Sequence, residues 1–161
     1  MRNKGTSRIV PSAIALFALL VLCVACGTDA QQPYTTWRTY AGGAHSAQYS
    51  ALDQIDRSNV SELEVVWTFP AGDGTFVFNP IVVDGVMYVL ARDNSIIALD
   101  AETGEERWEH PHEGAVGARG INFWQSADGA DQRLLYLNAG FLTALDARTG
   151  ETVVSFGDGG R

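Results

Sequence analysis

Arg119 is the side chain best placed to meet a ligand. It lies in a glycine-rich stretch (Gly114, Gly117, Gly120) just before the run Ile121-Asn122-Phe123-Trp124. A guanidinium is permanently charged and presents a planar fork of donors, which suits an oxygen-rich partner. In so acidic a chain, an ordinary surface ion pair explains it as well, and spacing does not choose between the two. His110-Pro111-His112-Glu113 has the residue types of a metal site. Pro111 disfavours a regular central strand there, and no histidine follows to complete a zinc set. Asp100 and Asp146 could be paired acids or cation ligands. Each, however, opens an Asp-x-x-Thr-Gly sequence (Thr103-Gly104 and Thr149-Gly150), a turn in which the carboxylate accepts backbone N–H bonds and glycine takes positive φ. The chain has no G-x-S-x-G, no glycine-rich phosphate loop before a helix, no cysteine nucleophile beyond Cys26 and no C-x-x-C-H haem motif.

The elements that must position these residues are strands. Glu64 to Phe69 alternates, with Val65, Trp67 and Phe69 on one face, and is read as a leading strand. Ile81-Val82-Val83, then Asp84-Gly85, then Val86 to Leu90 is a hairpin with a two-residue turn. Asp93-Asn94 turns the chain into Ser95 to Leu99, and Thr103-Gly104 turns it into Glu106 to Glu109. A second set is expected at Gly120–Trp124, Leu134–Asn138, Phe141–Leu145 and Thr152–Phe156. Ahead of both, Asn59-Val60-Ser61-Glu62 has the spacing of a capping box and predicts one helical turn.

The two sets are copies of one unit. Ala98 to Glu105 matches Ala144 to Glu151 at seven of eight positions, with a constant offset of 46. A repeat of that length made of four strands is the signature of a propeller blade. One such blade has two faces and can cover neither alone, so blades must stack. The fold class is therefore all-β, a β-propeller, with two four-stranded blades and a leading strand in hand. Trp108 is read as packing between blades. Two blades do not close a ring, so the chain reads as the front part of a larger propeller.

Residues 1–25 read as a signal peptide: Arg2, Lys4 and Arg8 precede an unbroken apolar run from Ala13 to Cys26. That run is shorter than the roughly 20 residues of a spanning helix. Val24-Ala25-Cys26-Gly27 resembles a bacterial lipoprotein box, with Cys23 where leucine is usual, so Cys26 is the expected lipidation site. Residues 26–36 then form a lipidated tether, and the protein is periplasmic and held to the membrane by its lipid. A cut after Ala30 would release it soluble instead. Beyond residue 25, eight arginines and no lysine stand against 19 acids, a net charge of −11. Such a surface repels phosphate backbones, which excludes nucleic acid as a partner.

Residues 37–161 carry a family resemblance. Ala98-x-Asp100-x-x-Thr103-Gly104-x-x-x-Trp108 resembles the tryptophan-docking repeat of the quinoprotein dehydrogenases, which use pyrroloquinoline quinone (PQQ). Trp37-x-x-Tyr40 with Gly42-Gly43, then Tyr49-Ser50-Ala51-Leu52-x-Gln54-Ile55, looks like their N-terminus, and Pro80 to Val89 like their first blade. The resemblance implies an eight-bladed propeller with PQQ and calcium on its axis. It implies oxidation of an alcohol or sugar in the periplasm, with electrons passed to a respiratory quinone or cytochrome. Arg119 matches the family arginine that donates to the quinone oxygens. The calcium ligands and catalytic aspartate of the family correspond to positions beyond Arg161.

Two departures stand out. Glu113 and Gly114 occupy the places of adjacent cysteines found in many alcohol-oxidising members, which raises sugar substrates. Val77 stands where a PQQ-contacting glutamate is usual, so part of the pocket must differ. Two rivals need no cofactor: a lipoprotein propeller that scaffolds outer-membrane protein assembly, and a sugar-binding propeller. The scaffold accounts for Cys26 and the repeats but not for Arg119 or the Trp37–Ile55 lead-in; the sugar-binding propeller stays open.

Overall fold

A computed structural model of the chain describes residues 35–43, 45–72, 79–91, 94–111 and 114–161. All of these fall in the unit Pro33–Arg161. The signal segment, Cys26, Val77, His112 and Glu113 lie outside the described residues.

The described residues fold as two antiparallel meanders. The first sheet runs in chain order through β1 (Ile81–Val83), β2 (Val86–Ala91), β3 (Ser95–Asp100) and β4 (Glu106–His110). The second runs through β5 (Val116–Gln125), β6 (Gln132–Asn138) and β7 (Phe141–Asp146). Asp84 and Gly85, with φ of 48° and 77°, make the two-residue turn that pairs Val83 with Val86.

Burial follows from stacking. Ile81, Val83, Tyr88, Ile96 and Ala98 of the first sheet share one core with Ile121, Phe123, Leu134, Tyr136 and Leu145 of the second. The opposite face of the first sheet, around Ile97 and Leu99, is covered by Trp67, Phe69 and Ala71 of the lead-in. Ile96 to Leu99 are therefore buried on both faces, which is why that stretch is continuously apolar.

Four expectations change in detail. Glu64–Phe69 forms no strand: Trp67 and Phe69 do pack on the first sheet, but no ladder forms, and Val65 and Val66 are 82% and 84% exposed. The second sheet has three strands, and its fourth position holds a single bridge, Leu145 to Thr152, before the chain turns from Val154 onward. Glu62 does end a helical turn (Val60–Glu62), but Asn59 makes no capping bond; its side chain accepts from the Asp56 N–H at 2.8 Å and donates to the Gln54 carbonyl at 2.8 Å. Finally, Arg119 belongs to β5 and not to a loop before it.

The lead-in is tied across both sheets. The Trp37 carbonyl accepts from Val82 N–H at 3.0 Å, and the Arg38 carbonyl accepts from Phe123 N–H at 2.9 Å. The Arg38 guanidinium lies 3.2 Å from Asp84 and 5.4 Å from the centre of the Phe123 ring.

Candidate functional site

The repeated carboxylates are occupied by their own turns. Asp100 Oδ1 accepts the N–H groups of Glu102 and Thr103, both at 3.0 Å, and Oδ2 takes Arg107 at 2.6 Å. Thr103 Oγ1 accepts the Glu105 N–H at 3.2 Å, and Gly104 sits at φ +74°. Asp146 repeats the arrangement with the N–H groups of Arg148 and Thr149 at 2.8 and 3.2 Å, and Gly150 sits at φ +75°. The hydrogen bond from Arg107, followed by those from the two backbone N–H groups, holds the Asp100 carboxyl down at about 2. The structure thus gives both aspartates a turn-building role rather than a paired-acid one.

Each turn also receives an indole. Trp108 Nε1 donates to the Ala147 carbonyl at 3.2 Å, and its ring lies over Gly150, where a Cβ would approach to 2.6 Å. Trp67 does the same one repeat earlier, with Nε1 3.3 Å from the Ala101 carbonyl and the ring 2.6 Å from a Cβ on Gly104. Only glycine leaves room for the ring and tolerates that φ. Trp67 is thus the counterpart of Trp108, a role that its place in an alternating stretch hides in the sequence. The available signal was spacing, since Trp67 precedes Trp108 by 41 residues, close to the repeat period.

His110 ends β4, and burial pushes its imidazole pKa down. Among the described residues no group of three or more His, Cys, Asp or Glu side chains is gathered.

Arg119 is exposed on β5, where the pairing register shifts between Val116 and Ile121 and Gly120 takes φ +76°. A bulge of this kind re-aims a side chain. Arg38, Arg107, Arg133 and Arg148 each reach a carboxylate, whereas Arg119 has no ion-pair partner among the described residues. Instead it faces two concavities. One, of about 310 Å³, is lined by Thr39, Tyr40, Gly43 and Ser46 together with Arg119 and Asn122. The other, of about 420 Å³, is bounded on its apolar side by Leu135, Leu137 and Leu142.

Two stacked meander sheets, locked together by an indole over an Asp-x-x-Thr-Gly turn, define the class: this is part of a β-propeller. The sequence pattern of the PQQ glucose/ethanol/alcohol dehydrogenase β-propeller domain matches residues 37–161, and the chain belongs to that family. It is 34% identical over 134 residues to the dehydrogenase subunit of the quinone alcohol dehydrogenase of Gluconacetobacter polyoxogenes, covering 74% of this chain and 17% of that one. It is 27% identical over 157 residues to the quinoprotein glucose dehydrogenase of Gluconobacter oxydans (strain 621H), covering 80% and 19%. In fold it resembles a europium-containing methanol dehydrogenase, with a TM-score of 0.61 at 24% identity, covering 74% of this chain and 22% of the other. The chain spans about a fifth of the length of the curated relatives it matches.

PQQ carries three carboxylates and an ortho-quinone. An exposed guanidinium with no carboxylate of the described residues on it, beside a concavity edged with hydroxyls, fits such a ligand. The described residues do not assemble a site for a divalent cation.

Proposed function

We propose that the whole protein is an exported quinoprotein dehydrogenase that oxidises an alcohol or a sugar with PQQ and passes the electrons to a respiratory quinone or cytochrome. The observation that carries this reading is Arg119: the bulge at Gly120 turns it out of the core, and no carboxylate of the described residues neutralises it. Family membership supplies the cofactor class.

When bound, PQQ supplies a quinone that accepts two electrons from the substrate carbon. The part of this chain is to hold and orient it. Arg119 donates to the quinone oxygens and stabilises negative charge that develops there. The protein's own acidic field would otherwise repel a tricarboxylate, so a fixed cation on the site wall is needed. The turn docked by Trp108 keeps the two sheets in one geometry, so that β5 presents Arg119 at a constant position. A calcium ion belongs to the same reading through the resemblance, with its ligands outside the described residues. Lipidation at Cys26, placing the enzyme in the periplasm on a membrane, completes the proposal.

The test is PQQ-dependent dye reduction by the full-length protein with a panel of alcohols and aldoses. Activity that appears only with PQQ and calcium supports the reading. A protein that neither binds PQQ nor reduces the dye is a propeller scaffold instead.

A further inference from the structure

We propose that Asn122 is a second cofactor-binding residue beside Arg119, and that Thr39, Tyr40, Gly43 and Ser46 of the lead-in are the wall facing it. This rests on the PQQ reading above.

In a regular strand residues 119, 121 and 123 share a face, and residue 122 points the other way. Ile121 and Phe123 are buried in the core, so a regular β5 would drive Arg119 into it. The register shift and the positive φ of Gly120 break that parity. As a result Arg119 and Asn122 emerge together, and they are the two side chains common to both concavities. A guanidinium and a carboxamide side by side present several N–H donors over one small area, a pattern matched to the carbonyl and carboxylate oxygens of a planar acid.

The facing wall is built deliberately. Ala41 and Ser46 both hold positive φ, at 56° and 49°, a costly conformation for residues with a side chain. The turn is secured by the bond from Phe123 N–H to the Arg38 carbonyl, one residue from Asn122. Strain of this kind is kept where the surroundings over-determine it, and here it presents Thr39, Tyr40 and Ser46 to the cavity that Asn122 lines.

The experiment is titration of the full-length apo-protein with PQQ, followed by quenching of protein fluorescence. Asn122→Leu, similar in size but without donors, should raise the dissociation constant about tenfold. Asn122→Asp sets a carboxylate beside Arg119 and should raise it by about a hundredfold, with the penalty shrinking as salt is added. Thr39→Val should weaken binding about threefold, the low end for one neutral hydrogen bond. All three should melt within a few degrees of the parent. If the parent binds PQQ and both Asn122 variants bind equally well, Asn122 is a surface residue and the inference falls while the function stands. If the parent does not bind PQQ, the underlying reading fails first.

Discussion

Trp108 lies across Gly150, its indole N–H on the Ala147 carbonyl at 3.2 Å and its ring 2.6 Å from where a Cβ on Gly150 would stand. The donor comes from the last strand of one sheet and the acceptor from the turn of the next, so the contact fixes the stacking of two repeats. Tyr88 donates to the same carbonyl at 3.1 Å and packs 5.8 Å from the Trp108 ring. One peptide oxygen is thus the shared latch of two aromatic side chains, one from β2 and one from β4, on the same sheet.

Gly150→Ala should destabilise more than a substitution at an ordinary positive-φ glycine. The left-handed backbone alone costs an alanine about 1–2 kcal/mol, and forcing Trp108 aside adds about 1–3 kcal/mol. Gly85→Ala is the control: its φ is +77°, and a Cβ there meets nothing within 4 Å. Melting of the full-length variants should rank parent above Gly85→Ala above Gly150→Ala. Equal losses at the two glycines would contradict the docking account.

Tyr88→Phe removes one of the two donors on the Ala147 carbonyl and should cost about 1 kcal/mol, because Trp108 still satisfies that oxygen. Burial pushes the Tyr88 phenol up to about 12. Ultraviolet titration of the folded protein should therefore lose one late-ionising tyrosine in the variant. A difference titration centred near the ordinary phenol value would show that Tyr88 is solvated.

Asp100 gives a pH test. Its folded carboxyl titrates at about 2, below the ordinary 3.8, chiefly because of Arg107 and then the Thr103 and Glu102 N–H groups. A depressed pKa contributes stability that is complete above about pH 4 and is lost as pH falls toward 2. Asp100→Asn, which keeps an oxygen for the two N–H bonds, should melt lower than the parent at pH 7, with the gap closing across that window. A gap that persists at pH 2 would mean that the loss is steric.

The repeats were legible because turn chemistry is local. Asp100, Thr103 and Gly104 form the same contacts as Asp146, Thr149 and Gly150, and each contact spans a few residues. The Asp84-Gly85 hairpin was legible for the same reason. Glu64–Phe69 was misjudged because alternation reports which face is covered, not whether a partner strand exists: Trp67 and Phe69 are packed, yet no ladder forms. Arg119 reads as lying ahead of the strand because the glycines around it suggest a break. The strand tolerates Gly117 and Gly120 by bulging, and whether it does so depends on the register of β6, which is a long-range property. Asn122 escaped notice because its parity with Arg119 is set by that same bulge. An arginine that reaches a carboxylate and one that reaches none among the described residues look alike in sequence.

The most direct test of the central claim is Arg119 itself in the full-length protein. With PQQ and calcium supplied, Arg119→Ala should melt like the parent, since an exposed arginine with no ion-pair partner among the described residues contributes little to folding. It should lose about two to three powers of ten in PQQ-dependent turnover, the usual scale for one oxyanion-type donor. Arg119→Lys should recover only part of that, because an ammonium lacks the planar fork. An Arg119→Ala enzyme as active as the parent would contradict the account and leave Arg119 a surface cation.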